Sequence, residues 1–188
     1  AWGKAIAPLG EFGAEKLVSD MLPVARKVAE VKLPGRKSPE IFAVPDQLTT
    51  VALYYNTKLL AAAGVTPPRT IGELSKMGEL FRKQGNSAKA FAMNSSLWWM
   101  MPWLFLHNAQ ILSGDLDRCL LDSTEAVSAV EYLRALYASG SEGGAWVSGA
   151  VNPDQGFLTG RYAMILSGPW NLQTFRTVPF AVSLVPGN

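Results

Sequence analysis

The stretch FLTGRYAMILSGPW, residues 157–170, determines how the rest of the chain is interpreted. Tyr162–Leu166 is an uninterrupted apolar run, which is typical of a strand buried on both faces. Ser167-Gly168-Pro169 then predicts a tight turn that opens a helix over residues 171–176. This order places Trp170 at the carboxyl end of the strand, the edge at which open α/β sheets bind ligands.

Strand and helix signals alternate over most of the chain. Runs rich in β-branched and aromatic residues predict further strands at residues 49–55, 90–93 and 180–185. Helical patterns separate these runs from about residue 49 to residue 185. The alternation predicts a layered α/β domain built around a largely parallel sheet.

Two helices of this domain are predicted from their capping residues. Thr70, with Glu73 three residues later, forms a capping box for a helix that Gly85 ends. Asp122 is expected to cap a second helix, which Gly140 ends. The apolar faces expected to be buried are Leu74, Met77, Gly78 and Phe81 in the first helix and Val127, Val130, Leu133 and Tyr137 in the second.

Composition excludes several classes of protein. Hydrophobic residues make up 48% of the 188 residues, enough for a sizeable core. The net charge of +2 gives no reason to expect a nucleic-acid partner. Charged residues are only 17%, below the usual value of about 25%, so some apolar surface is expected to pack against additional chain. Cys119 is the only cysteine, which excludes an internal disulfide and a zinc site of several thiolates.

The sequence predicts neither a membrane span nor a leader. The longest apolar run, residues 97–106, contains Pro102 and is too short to cross a bilayer about 30 Å thick. Residues 1–4 lack the basic start and long apolar centre of a signal peptide, and the first residue is not methionine. We therefore expect the chain to be a processed or partial piece of a longer protein.

Motifs of catalysis and metal binding are not found in the sequence. His107 is the only histidine, and a structural, hydrogen-bonded ring is favoured over a catalytic one. The sequence contains no Gly-x-Ser-x-Gly elbow, phosphate-binding loop or dinucleotide fingerprint. Asp115, Asp117 and Asp122 are explained better by a turn and a helix cap than by calcium. We expect no cofactor, no metal and no enzymatic activity.

Tryptophan is the most informative residue type. Six are present, and three of them fall within residues 98–103. On a helix, Trp99 and Trp103 share one face while Trp98 points elsewhere, so the segment is apolar nearly all round. A buried core helix accounts for Trp103, whereas rings on the other faces indicate a ligand cleft or another lobe.

The position of Trp170 suits a sugar ligand. A flat indole presents a wide apolar face and one N–H donor. A sugar ring offers a matching C–H face bordered by hydroxyl groups, which polar side chains can bind. A tryptophan packed into the core at the start of a helix is the alternative, and position alone does not separate the two.

Five groups of residues, taken in their order along the chain, are typical of one protein family. They are residues 43–46 with 52–56, 59–70, 121–127, 157–170 and 182–187. In this order they resemble bacterial extracellular solute-binding proteins, the large sugar-binding group that includes the maltose-binding protein. The resemblance covers nearly all of the chain, and residues 157–170 are its strongest part.

The resemblance implies an α/β, periplasmic-binding-protein-like (type II) fold, represented mostly by its second lobe with a piece of the first. Residues 1–46 would be the tail of the first lobe and the approach to the hinge. Residues 47–182 would form the second lobe with its ligand-binding face, and residues 183–188 the return hinge segment. The chain would then be an incomplete part of a two-lobed protein.

The resemblance also implies a function in transport. The protein would be the substrate-binding component of an ABC importer, which captures a sugar or related polyol and delivers it to a membrane permease. Its partners would be that carbohydrate and that permease, with membrane contact only through the permease or a lipid anchor. Its localisation would be periplasmic or extracellular, either free or lipid-anchored.

The ligand-binding residues are expected near the two tryptophan segments. By the resemblance, Trp170 would stack on the ligand, and Trp98 or Trp99 would provide a second platform. The other expected ligand-binding residues are Asn94, Ser95, Ser96, Thr49 and Gly168.

Two alternatives follow from the residues. The same fold could bind a phosphorylated polyol or another anion, which Thr49 and the more basic first half would suit; an acid-lined cleft would argue against this. A secreted α/β hydrolase would need two convergent titratable groups, such as His107 beside a carboxylate or a serine.

Overall fold

The computed structural model describes residues 6–33, 35–115 and 117–188. It divides into two compact units, Ala1–Thr49 and Thr50–Asn188, and the division lies close to the boundary expected at residue 46. Residues 1–4, on which the expectation about a signal peptide rests, lie outside the described residues. The assignment of the two units to two lobes stays a prediction.

The first unit consists of short elements around a small core. A 3₁₀ turn at Gly10–Phe12 precedes helices α1 (Ala14–Ser19) and α2 (Pro23–Ala29). Strands β1 (Glu30–Val31) and β2 (Glu40–Ile41) pair antiparallel. The buried apolar residues that cluster here are Ala14, Val18, Ala29 and Ile41.

A mixed four-stranded sheet lies at the centre of the second unit, in the order β4-β5-β3-β6. The strands are β3 (Ala52–Asn56), β4 (Lys89–Ala92), β5 (Tyr162–Ser167) and β6 (Phe180–Ser183). Strands β4 and β5 pair parallel, but β3 runs antiparallel to both β5 and β6. The prediction of a largely parallel sheet is therefore wrong. Alternation of strands and helices does not fix strand direction, and β3 lies between two strands that run the opposite way.

Helix α4 (Ile71–Lys83) forms as predicted. The Thr70 hydroxyl accepts a hydrogen bond from the Glu73 amide at 3.1 Å, and the Glu73 carboxylate accepts one from the Arg69 amide at 2.7 Å. Gly85 adopts the left-handed conformation, with φ of 64°, just after the helix. All four residues of the predicted apolar face are buried, and Leu74, Met77 and Phe81 join the core cluster that includes the sheet residues.

The buried face of helix α6 (Thr124–Ala138) differs from the prediction. Ser123 rather than Asp122 caps the helix, because its hydroxyl accepts a hydrogen bond from the Ala126 amide. The buried residues are Ala126, Ala129, Leu133 and Leu136, whereas Val127, Val130 and Tyr137 are exposed. Ala126 and Ala129 cluster with Leu104 of helix α5 (Leu97–Leu106), and their small side chains allow the two helices to approach closely there.

The segment after β5 forms two 3₁₀ helices instead of the predicted helix over residues 171–176. They span Pro169–Asn171 and Thr174–Thr177. The buried ring of Phe175 packs against Tyr54 in the core, and this contact holds the chain in two separate turns.

The remaining helices are α3 (Thr57–Ala62) and α7 (Pro153–Leu158). Asn152 caps α7, as its side chain accepts a hydrogen bond from the Asp154 amide at 2.9 Å. Near the end of the second unit, Gly187 exchanges backbone hydrogen bonds with Arg69 and Ile71. In the described ranges, none of the helices is both long enough and apolar enough to span a membrane.

Candidate functional site

One edge of the sheet gathers the segments that carry most of the predicted ligand residues. Strands β4, β5 and β6 end there and β3 begins there, since Ala52 lies opposite Ser167 and Leu53 lies opposite Ser183. The loops that follow β4 and β5 therefore leave the sheet at the same edge. This is where ligands bind in open α/β sheets.

Three indoles meet at this edge and form the tryptophan cluster (Trp98, Trp99 and Trp170). The ring centroids of Trp98 and Trp99 are 4.6 Å apart, and Trp170 lies 5.8 Å from the first and 6.2 Å from the second. Trp170 is 47% exposed and Trp98 is 43% exposed. The cluster therefore presents wide apolar faces to solvent, which residues brought together only for packing would bury.

Gly168 determines where the Trp170 ring lies. The glycine is buried and extended, and the indole folds back over it so closely that a Cβ there would overlap the six-membered ring. Any other residue would push the ring away. The structure thus places Gly168 beneath the Trp170 ring, and its role as a ligand contact stays a prediction.

The loop between β4 and α5 adds polar groups next to the cluster. Asn94 is half-buried, while Ser95 and Ser96 are exposed. Ser96 precedes α5, yet within the described ranges its hydroxyl makes no capping hydrogen bond. Side-chain oxygen and nitrogen atoms in this loop can therefore bind a hydroxylated ligand. Thr49 is exposed in the first unit, and its predicted role stays a prediction.

A polar network behind Trp170 was not anticipated from the sequence. The Asn171 side-chain amide donates to Asp154 Oδ2 and to Ser167 Oγ, both at 3.0 Å. Ser167 is fully buried, so the network fixes the turn that carries the indole. Asp154 lies in the first turn of α7 and Asn171 directly follows the tryptophan, and only the fold brings them together.

An apolar groove of about 340 Å³, here named the α5–α6 groove, adjoins the same loop. Ser95 and Met93 contribute from the loop side, and Trp146 contributes from the segment after α6. The other residues that line it are Met100, Val130, Leu133, Arg134 and Tyr137. Val130 and Tyr137, two of the exposed α6 residues that were wrongly expected in the core, thus lie along an open groove.

A second aromatic group lies inside the unit. Trp103 is fully buried between Phe91, at a centroid distance of 5.9 Å, and Tyr132, at 5.7 Å. The Tyr132 hydroxyl donates to the Ile71 carbonyl oxygen at 2.9 Å. Burial raises the pKa of Tyr132 to about 12, so the phenol stays neutral at physiological pH. The predicted core position of Trp103 is confirmed.

His107 is half-buried and packs against this group. Its Nδ1 lies 2.9 Å from the Trp103 carbonyl oxygen, which fixes Nδ1 as the protonated nitrogen, and its ring packs 5.6 Å from Tyr132. These contacts are those of a structural histidine. They give no support to the pairing with a carboxylate or serine that a hydrolase would need.

Other places for a ligand are less suitable. A wider depression of about 870 Å³ belongs to the first unit, and its walls, which include Glu11, Glu15 and Arg36, contain none of the predicted ligand residues. In the part of the chain that the structure describes, no group of three or more potential metal ligands converges. Asp117 accepts a hydrogen bond from Ser113, as expected for a turn.

The chain is similar to known proteins over nearly all of its length. The sequence model of the family described as bacterial extracellular solute-binding protein matches residues 1–186. A maltotriose-binding protein from Pyrococcus abyssi is 21% identical in an alignment of 188 positions that covers 96% of this chain and 38% of that protein.

Solved structures of similar fold include a receptor and an ABC substrate-binding protein. The GacH receptor of Streptomyces glaucescens, solved unliganded and with acarbose, has a TM-score of 0.74 at 25% identity, over 97% of this chain and 47% of that one. An ABC substrate-binding protein from Listeria monocytogenes, solved with cycloalternan, has a TM-score of 0.76 at 20% identity. The match covers 97% of this chain and 48% of that one. This chain thus spans less than half the length of each of these proteins.

Proposed function

The chain belongs to the family of bacterial extracellular solute-binding proteins, and we propose that it forms part of the substrate-binding component of an ABC importer for a sugar or related polyol. The periplasmic-binding-protein-like fold is shared with its solved relatives. The ligand, the partner permease and an extracellular or periplasmic location, free or lipid-anchored, are parts of this proposal.

The tryptophan cluster is the observation that carries the proposal. Its two half-exposed indoles stand at the carboxyl edge of β4 and β5, beside the hydroxyls of Ser95 and Ser96. Apolar faces next to polar side chains match a sugar ring, which has a C–H face and a rim of hydroxyl groups. The names of the similar proteins, which refer to maltotriose, acarbose and cycloalternan, support the same class of ligand.

The mechanism that we propose is closure of two lobes on the ligand. Residues 45–50 and 183–186 act as hinges that absorb the rotation. Contacts from both lobes stabilise the closed form, and the permease recognises that form. Trp170 stacks on the ligand, Trp98 or Trp99 provides a second platform, and Asn94, Ser95, Ser96 and Thr49 donate and accept hydrogen bonds. No covalent step is involved.

A phosphorylated or otherwise anionic ligand is less well supported. The charged side chain tied to the turn of Trp170 is a carboxylate, Asp154, which is held through Asn171. A carboxylate near the ligand would oppose a second anion, and no basic side chain of the described residues is bonded into this network. A neutral sugar or polyol fits the charge better.

The experiment is calorimetric titration of the longest natural polypeptide that contains this chain with a panel of oligosaccharides, monosaccharides and polyols. We expect one class to bind and Trp170→Ala to weaken its binding at least tenfold, since stacking is lost. Phe105→Ala is the matched control, because Phe105 is an exposed aromatic residue at the other end of α5. If no member of the panel binds, the carbohydrate assignment is wrong. If Trp170→Ala and Phe105→Ala weaken binding equally, the proposed role of Trp170 is wrong.

A further inference from the structure

Glu142 is a buried acid that the proposed ligand contacts do not use. The residue is 2% exposed and lies in the glycine-rich segment after α6. A buried carboxylate is rare because leaving water costs it a large solvation free energy, which only specific hydrogen bonds offset. Its partners therefore indicate what the residue does.

The partners of Glu142 come from two loops. Oε2 accepts a short hydrogen bond from the Gly144 amide, and Oε1 accepts from the Ala145 amide at 3.4 Å. Oε1 also accepts from the Met93 amide at 3.4 Å. Met93 directly follows β4 and directly precedes Asn94, so the carboxylate bridges the segment after α6 and the ligand loop.

Backbone pairing positions Glu142 to bridge the segment after α6 and the loop after β4. Phe91 of β4 forms a bridge with Glu142, with its amide donating to the Ser141 carbonyl oxygen and its own carbonyl oxygen accepting from the Gly143 amide. The main chain thus aligns the two segments up to Phe91. Beyond Phe91 the backbone pairing between the two segments has ended. The Glu142 side chain continues the connection there, through its hydrogen bond with the Met93 amide.

The same connection reaches the lining of the α5–α6 groove from two segments. Met93 and Ser95 contribute to the lining from the loop, and Trp146, next to Ala145, contributes from the segment after α6. Releasing the carboxylate would therefore loosen the loop and the groove together, without removing any group that touches a ligand.

We propose that Glu142 is a positioning residue, whose carboxylate holds the loop of Met93 to Ser96 in the geometry that binds ligand. The proposal rests on the proposed function for its effect on affinity, but its effect on the loop can be measured without a ligand.

The charged and titratable neighbours leave this carboxylate without an ion pair. The elements packed around it carry Lys89 on β4, Arg134 and Tyr137 on α6, and Tyr162 on β5. Within the described ranges, no salt bridge joins any of them to Glu142. Burial accordingly raises the pKa of Glu142 above its usual value, and the backbone amides lower it in part.

The test compares wild type with Glu142→Gln in the longest natural polypeptide that contains this chain. The variant keeps the shape but turns an acceptor oxygen into an N–H₂ group, which faces the amide donors. We expect faster hydrogen exchange at the amides of Met93, Gly144 and Ala145, and about tenfold weaker binding of whichever sugar binds wild type. Glu142→Ala should give the same pattern more strongly.

A pH series separates positioning from general stability. Because the folded pKa is raised, protonation of Glu142 stabilises the fold relative to the unfolded chain as the pH falls. The same protonation removes a hydrogen-bond acceptor for the loop amides. As the pH falls, the affinity of wild type for its ligand should therefore decrease while the contribution of Glu142 to the free energy of unfolding increases. Glu142→Gln should show neither change.

Each outcome is decisive. Unchanged exchange at the three amides in Glu142→Gln overturns the proposal even if no sugar is found. Faster exchange with unchanged affinity overturns the link to ligand binding. If no sugar binds wild type, the proposed function fails while the exchange data still decide whether Glu142 holds the loop.

Discussion

Helix α5 carries two tryptophan groups with opposite surroundings. At its first turn, Trp98 and Trp99 meet Trp170, and wide apolar faces stay in solvent. One turn later, Trp103 is fully enclosed between Phe91 and Tyr132. The residue type is the same and the spacing is helical, so the neighbouring elements alone decide which ring stabilises the fold and which ring is available to a ligand.

The difference predicts where each ring contributes free energy. A ring that is buried on folding contributes to the stability of the native state, since folding removes its apolar surface from water. A half-exposed ring retains surface that only a ligand can cover. Substitutions in the two groups should therefore separate stability from affinity.

Trp103→Ala should have the largest effect. Removing a fully buried indole loses its transfer free energy and leaves a cavity, so we expect the free energy of unfolding to fall by about 3–5 kcal/mol. Urea denaturation followed by circular dichroism measures this. Trp98→Ala on the same helix should cost less than about 1 kcal/mol, and an equal loss in the two variants would contradict the comparison.

Gly168→Ala should affect affinity while sparing the fold. A Cβ at this position overlaps the Trp170 ring, which can swing into solvent because it is already half exposed. We expect roughly tenfold weaker sugar binding, about 1.4 kcal/mol, with little change in unfolding free energy. Gly114→Ala is the control, since nothing lies within 4 Å of a Cβ there. Unchanged affinity in Gly168→Ala would show that the observed ring position is not the binding position.

Alkaline pH should affect only the buried group. The pKa of Tyr132 is raised to about 12, so the stability contributed by its neutral phenol is complete below its unfolded pKa of about 10 and is lost as the pH rises through 12. The tryptophan cluster contains no group that titrates. Urea denaturation at increasing pH should show a steeper loss for wild type than for Tyr132→Phe, and parallel curves would contradict the burial of the phenol.

The sequence predicted those parts of the fold that depend on local chemistry. The Thr70 cap, the buried face of α4 and the Gly85 stop are confirmed, because hydrogen bonds and apolar periodicity within one helix determine them. The position of Trp170 just beyond the carboxyl end of β5 was also expected, since an apolar run that ends in Ser-Gly-Pro leaves the sheet.

Features that depend on partners distant in sequence were missed. The direction of β3 depends on where β5 and β6 lie, and the buried face of α6 depends on close approach to Leu104. The hydrogen bond between Glu142 and Met93 joins residues 49 positions apart and leaves no local signal in the sequence. The ligand-binding roles of the predicted site residues stay predictions, because exposure shows availability rather than contact.

The smallest effects should come from two serines at helix starts. Ser123 caps α6 through its bond to the Ala126 amide, so Ser123→Ala should lower the free energy of unfolding by about 1 kcal/mol and leave affinity unchanged. Ser96 precedes α5 without such a bond in the described part of the chain, so Ser96→Ala should barely change stability. If its free hydroxyl binds the ligand, affinity should fall by a factor of about 3 to 10, the worth of one neutral hydrogen bond. Denaturation and calorimetric titration of both variants measure the two quantities side by side. A stability loss in Ser96→Ala equal to that in Ser123→Ala would show that this hydroxyl serves the helix, and would leave the tryptophan cluster without that polar neighbour.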